Sequence, residues 1–440
     1  MVGGVWKAEG GKSVADVVGL TGSVTNGQAR LYATGSGSSG TSGTLSTVTD
    51  TAGAGATMSG SVTTLATAGS KKAFRGVALA PAGGGTPSPT PSASASATPS
   101  SSPSPSPSSS AGTSAPASPS ASSSPSSSAS TNPLTPVAWP GSSSIATADG
   151  SDVFGEDLSG LYQEGGVLWG AQNSGKLWRL VPNGSGSWKP DTANGWTSGK
   201  SLKFPGGSGT PDSEGVTLTG AGSAGGVFVA SERNGDASGT SRLSVLRYDV
   251  SGTASALTAT KEWNLTSNLP SVGSNLGFEA VTWVPDGSLT AAAFKDESTG
   301  AAYNPSGYGA HTGGVFFLGV EGTGMVYGYV LQDSGTFTRV ASISSGMAGV
   351  MELQWEPQTS RLWVVCDDTC GGQHRTMKIN SSGAFAITAV YNRPGGMPNI
   401  NNEGFSVAGA DECVSGSKPV YWSDDSNTGG HAIRRGTITC

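Results

Sequence analysis

Charge is scarce in these 440 residues: Asp, Glu, Lys and Arg together make up 12%, about half the share usual in soluble domains. Amphipathic helices need charged and long polar residues on their outer faces, so a helix-rich fold is disfavoured. Histidine occurs three times and cysteine four times, which leaves little for a soft-metal centre. The net charge of −6 offers no general attraction to phosphate backbones or anionic lipid, and this excludes nucleic acid and membrane surfaces as default partners. No apolar run approaches the roughly 18 residues that a spanning helix requires, so no membrane insertion is expected. The opening Met1-Val2-Gly3-Gly4-Val5-Trp6-Lys7 lacks the basic, apolar, small-residue order of a secretory signal. An N-terminal portion is therefore expected to be missing from this chain.

What is abundant is glycine, with 69 residues, together with 25 prolines, and this composition favours turns and short strands. Three regions follow. Residues 1–82 read as a partial β domain, the C-terminal part of an upstream propeller, with strands at Ala29–Thr34, Thr44–Thr49, Ser61–Leu65 and Phe74–Leu79. So few strands leave unpaired edges and bury little area, so the segment is not expected to be stable alone. Residues 83–136 are Ser, Pro, Ala, Thr and Gly with scarcely another residue type. Such a tract cannot bury apolar surface and reads as a disordered, semi-stiff linker of the kind that joins modules outside the cell.

Residues 137–440 carry a loose repeat. Its first strands contain Asp157-Leu158-Ser159-Gly160-Leu161, Asp212-Ser213-Glu214-Gly215-Val216, Gly277-Phe278-Glu279-Ala280-Val281, Val350-Met351-Glu352-Leu353-Gln354 and Asn402-Glu403-Gly404-Phe405. Four of the five hold Glu at one phase. Each is followed by a second strand ending in an acid or amide: Leu168–Asn173, Gly226–Glu232, Leu289–Asp296, Leu362–Asp368 and Val420–Asp425. Sheets of about four strands repeating every 50–70 residues predict an all-β fold, a β-propeller of five to six blades. A strand at Ser143–Thr147 is placed to join the last blade.

In a propeller the start of each inner strand neighbours the end of the next strand outward. Glu214 is then expected near Glu232, Glu279 near Asp296, Glu352 near Asp367 and Glu403 near Asp424, all at one mouth of the channel, with Asn173 as the non-acidic counterpart. Like charges so close raise one another's pKa, and something must balance them. Calcium suits an all-oxygen set best, since it accepts six to eight carboxylate, carbonyl and water oxygens. Three readings stand open: the glutamates clamp backbone N–H groups of adjacent blades, they hold calcium structurally, or they form a catalytic metal centre in which Glu214, Glu279 and Glu403 act.

The same residues carry a family resemblance. Pro211–Thr217, Ala230-Ser231-Glu232-Arg233, Gly277–Trp283, Cys366–Cys370 and Asn402–Phe405 resemble the secreted bacterial phytase-like propellers, known as "esterase-like activity of phytase". The resemblance implies a calcium-dependent phosphoric ester hydrolase, with a small phosphorylated substrate. Phosphate binding also asks for cations, and Arg233, Lys295 and Arg375 adjoin the acidic positions. The opposing class is a non-catalytic binding module for extracellular glycan or a surface protein. Trp188 and Trp196 would then stack on sugar, and the loop Tyr303–His311 would cap the funnel.

An even cysteine count without a His-rich partner favours disulfides: Cys366–Cys370, a tight ring around Asp367 and Asp368, and Cys413–Cys440, pinning the C-terminus. Both imply an oxidising, extracellular location. A monomer is expected. Gly170–Leu177 and Gly195–Ser201 imitate a phosphate loop, but the first has Leu where Ser or Thr must stand and the second is one residue short.

Overall fold

The computed structural model describes residues 17–25, 28–35, 43–52, 57–68, 77 and 134–440 except 238. The chain divides into two units, Met1–Ser122 and Ser123–Cys440. In the first, Val17–Thr25, Gln28–Gly35, Thr44–Asp50 and Thr63–Thr67 form one antiparallel sheet in sequence order. Three of these strands coincide with the expected ones and the first was missed. Its Gly19, Gly22 and Ser23 dilute the β-branched signal. The expected strand at Phe74–Leu79 and nearly all of the linker lie outside the described residues.

The second unit is all-β apart from short helical turns, and its strands form five further sheets. The first is built on Leu158–Glu164, Val167–Gln172 and Lys176–Pro182. Outward of these, two short pieces, Trp188–Pro190 and Lys200–Lys203, pair opposite ends of the third strand, and Ala256–Thr258 forms the edge by pairing in parallel with Lys200–Lys203. The second sheet runs Pro211–Thr217, Val227–Asn234, Ser241–Tyr248, Lys261–Asn264. The third runs Phe278–Pro285, Gly314–Val320, Met325–Leu331, Phe337–Ser344. The fourth runs Glu352–Glu356, Arg361–Val365, His374–Ile379, Phe385–Tyr391. The fifth holds Asn402–Val407, Ser417–Asp424 and Ile433–Thr439, and takes its fourth strand, Ala146–Thr147, from the start of the unit.

Five apolar cores lie between successive sheets, and the last joins the fifth sheet back to the first through Leu158, Trp178, Trp188, Tyr421 and Ile433. The inner strands likewise touch in cyclic order, with Asn402–Val407 against Leu158–Glu164. This arrangement is propeller-like. It explains the near-continuous apolar runs of the second strands, such as Val315-Phe316-Phe317-Leu318, which are buried on both faces.

One strand of the repeat was misassigned. Leu289–Asp296 is not the second strand of its unit: Asp286–Ala291 is a short helix and the true second strand is Gly314–Val320. The apolar run Leu289-Thr290-Ala291-Ala292-Ala293-Phe294 imitates a buried strand, because its Leu289 and Phe294 enter the core between the third and fourth sheets.

Both expected disulfides are present, Cys366–Cys370 and Cys413–Cys440, at separations of 4 and 27 residues. Loop-closure entropy makes the longer ring the more stabilising, about 3.5 against about 2 kcal/mol. Urea titrations should place Cys413→Ser below Cys366→Ser in midpoint. No helix among the described residues is long and apolar enough to cross a membrane.

Candidate functional site

The five inner strands share one phase. Ser159, Glu214, Glu279, Glu352 and Glu403 are each followed by a small residue in four of the five cases, namely Gly160, Gly215, Ala280 and Gly404. Close approach of neighbouring backbones requires this. A Cβ on Gly160 would lie 2.4 Å from the Glu214 carbonyl oxygen, on Gly215 2.7 Å from the Val281 nitrogen, and on Gly404 2.1 Å from the Ser159 carbonyl oxygen. The glycines therefore draw the inner strands together and deliver the preceding acidic side chains to one axis.

Three of them meet there. Glu214, Glu279 and Glu403 each offer a carboxylate oxygen within 4.8 Å of the others, and Asp212, Glu214 and Glu232 form a second such triad. Glu214 belongs to both. Asp212, Glu214, Glu232 and Glu279 are 4%, 2%, 1% and 7% exposed, so the cluster is buried acid. Glu214, Glu279 and Glu403 are all held well above the ordinary carboxylate pKa, first by burial and then by the neighbouring acids. Glu232 is pushed up to about 8 by burial, although it accepts from the Gly277 N–H at 3.0 Å. Asp212 is also raised by burial, against the pull of the Arg233 guanidinium beside it.

Glu403 bonds to the Ser159 hydroxyl at 2.8 Å and to Asn401 Nδ2 at 3.0 Å. That amide also reaches Asp425 at 3.2 Å, and Asp425 is raised to about 6 by burial and by Asp157. The Ser159 hydroxyl lies 2.5 Å from Asn173 as well, so the expected counterpart in the first sheet does reach the mouth. Among the described residues, one cation serves the cluster directly: Arg233 pairs with Asp212, lies 3.7 Å from Glu232, and donates to the Ser274 carbonyl at 3.1 Å.

Several expected positions take other parts. Glu352, fully buried, accepts from its neighbour Leu353 N at 2.8 Å and from Leu161 N in the first sheet at 3.1 Å, with Phe405 N of the fifth sheet as a further donor. It clamps three inner strands and is not a member of either triad. Asp424 turns away from the mouth to accept from Ser426 N, Thr428 N and Arg434. Asp425 takes its place beside Glu403. Asp296 lies in the segment that follows the far end of its inner strand, where it accepts from Ser298 and Tyr308. Lys295 is there too, its backbone bonded to Gly383, so neither is at the mouth. The acid at the true strand end is Glu321, whose N–H bonds to Gly277 and whose charge raises both Glu232 and Glu279. Asp367 caps the turn inside the Cys366–Cys370 ring, accepting from Thr369 N at 3.1 Å, and its charge is felt at Glu403. Arg375 holds the Ser345 carbonyl at 2.6 Å.

The aromatic expectations are corrected likewise. Trp188 and Trp196 are buried, packed edge-on against Tyr421 and Trp169. Tyr303 and His311 bond to Asp286 at the end of the third sheet away from the acids, and so cap nothing at the mouth.

Sequence reasoning missed Asp212, Glu321 and Asp425 as members of the site. Asp212 stood in the quoted motif two residues before Glu214. Asp425 is a single residue past the position chosen, and a shift of one residue in a strand exchanges faces.

The donors are all oxygens, the ligand type that a hard cation such as calcium takes. Two oxygens on one calcium at about 2.4 Å cannot be more than about 4.8 Å apart, and the ligand oxygens of each triad lie within that limit of one another. Glu214 Oε2 is buried without a hydrogen-bond partner, as expected of an atom that awaits a cation.

Among solved structures, the chain is similar to a chain of the mitotic checkpoint complex, at 10% identity and TM-score 0.31 over 64% of this chain and 61% of that one. It is also similar to a protein from Lactobacillus plantarum, at 10% identity and TM-score 0.32 over 96% and 85%. A protein from Bacteroides uniformis assigned provisionally as a 6-phosphogluconolactonase matches at 13% identity and TM-score 0.33 over 96% and 85%. Likeness of this degree carries no argument about activity. No curated protein matches the chain. At the sequence level, residues 157–348, the segment that supplies Glu214, Glu232 and Glu279, match the model of the phytase-like family, described as esterase-like activity of phytase.

Proposed function

We propose that residues 137–440 form a five-bladed propeller that hydrolyses phosphate esters at its acidic mouth with the help of calcium. The observation that carries this is Glu214, shared by two carboxylate triads and left with a buried, unpartnered oxygen. Glu214, Glu279 and Glu403 would hold the cation on one side, and Asp212 and Glu232 on the other. Bound calcium supplies Lewis acidity toward a phosphoryl oxygen and acidifies a coordinated water. Arg233, anchored by Asp212 and Ser274, is the guanidinium available to orient phosphate, and the Ser159 hydroxyl with Asn173 completes a polar rim.

Two disulfides support an oxidising, extracellular setting for this activity. The opposing reading, a glycan module built on Trp188 and Trp196, loses its contact surface to their burial. Assay of the purified chain on a general phosphomonoester and on phytate should show turnover with calcium and none with chelator. Glu279→Gln should lower kcat by at least about a hundredfold. Equal rates in variant and parent would remove Glu279 from the reaction.

A further inference from the structure

Glu403 reaches the mouth at the end of a crossing segment, residues 392–401, which runs from the outer strand of the fourth sheet to the inner strand of the fifth. The segment is neither strand nor helix, so its course depends on what holds it from outside. Near its start Arg393 donates Nε to the Met397 carbonyl at 2.9 Å and Nη1 to the Gly371 carbonyl at 2.8 Å. Farther along, Asn399 Nδ2 donates to the Asp368 carbonyl at 3.1 Å. At its end the Asn401 side chain donates to Glu403 and to Asp425. The Asn401 carbonyl accepts from Asp425 N at 3.0 Å, and Asn402 N donates to the Ile400 carbonyl at 2.8 Å.

The two carbonyls that grip the segment from outside, those of Asp368 and Gly371, sit on one turn. Asp368 lies within the ring closed by Cys366–Cys370, and Gly371 adjoins it. The turn follows Val365, which pairs with Glu352 at the start of the inner strand, so it stands at the mouth end of the fourth sheet. Cys370 N and Gly372 N both donate to the Asp367 carbonyl, at 3.3 and 2.7 Å, and a Cβ on Gly372 would lie 3.1 Å from Arg393 Cδ. The covalent ring thus fixes the turn, the turn fixes the crossing segment, and the segment ends on Glu403. The other disulfide, Cys413–Cys440, lies past Val407, beyond the far end of the fifth sheet's inner strand. Because the small ring contributes less loop-closure stability than the large one, the two disulfides can be separated by what each governs.

We propose that the Cys366–Cys370 ring is a positioning element for Glu403 and sets the affinity of the acidic mouth for calcium through Arg393 and Asn399. The proposal rests on the reading of Glu403 as a calcium ligand. Groups one step out from a metal's ligands govern its affinity by about 10–100-fold. The test titrates calcium calorimetrically into the full chain. The double variant Cys366→Ser/Cys370→Ser should bind about tenfold more weakly than the parent, and so should Arg393→Ala, which leaves both disulfides in place. Cys413→Ser/Cys440→Ser should lose more stability in urea and yet keep the parent's calcium affinity. Hydrogen exchange of the calcium-free chain reads the same coupling without the ion. The Asn402 and Asp425 amides should exchange faster in the Cys366/Cys370 and Arg393 variants and at the parent's rate in the Cys413/Cys440 variant. Parent-like calcium affinity in the first two variants, or equal weakening in all three, would overturn the proposal. A parent that takes up no calcium would instead remove the calcium reading, and unchanged exchange at Asn402 and Asp425 would overturn the positioning role by itself.

Discussion

Glu214→Gln should make the calcium-free protein more stable at pH 8 and abolish its stabilisation by calcium. Removing a buried carboxylate usually costs stability, so the direction is diagnostic. The sign follows from linkage. Glu232 has an ordinary value of 4.5 and is raised to about 8 when folded, and Glu214, Glu279 and Glu403 are raised as well. The folded state therefore binds more protons than the unfolded one. The stability that Glu232 contributes is fully present below about pH 4.5 and is lost as pH rises through about 8, by roughly 1.4 kcal/mol per pH unit within that window, and the other three, raised in the same direction, act with the same sign. Calcium takes the place of the protons. At a hundredfold excess over Kd it should restore about 2.7 kcal/mol, on the order of 5 °C in Tm for a domain of this size. The restoration should be large at pH 8 and small near pH 4.5. Thermal melts at both pH values, with calcium and with chelator, check parent and variant together. A calcium shift as large in Glu214→Gln as in the parent would contradict the assignment.

Glu352→Ala should be the most destabilising single change at an inner-strand acid, by roughly 3–5 kcal/mol, because it strips acceptors from backbone N–H groups of three strands. Urea titration measures this. Glu352→Gln keeps one carbonyl acceptor and should lose about half as much, and it should leave the calcium shift intact, since Glu352 belongs to neither triad. The two glutamates thus separate by readout: Glu214 governs the response to the ion, and Glu352 governs the fold with or without it. A calcium response lost in Glu352→Gln would move that residue into the site.

The comparison of these two residues also shows how far the sequence reached. The repeat, the common phase of the glutamates, the joining of the last sheet by a strand near Ala146 and both disulfide pairs were legible, because periodicity and cysteine count encode them directly. Which glutamate clamps and which converges was not legible. That depends on which neighbouring backbone presents free N–H groups, as Leu161 does to Glu352. Strand-end acids were read with mixed success for a related reason. Glu232 was found because its sheet has no insertion. Glu321 was hidden by the segment 286–313, whose helix mimics a strand in composition, and Asp425 by a bulge between Asn402 and Gly404 that shifts the pairing.

In the proposed site, oxygens from Glu214, Glu279 and Glu403 surround one hard cation. Crystals grown in calcium and measured at long wavelength test it most directly. An anomalous peak is expected within about 2.3–2.6 Å of carboxylate oxygens from all three residues. No peak there at saturating calcium, with the three carboxyl groups instead hydrogen-bonded to one another, would contradict it.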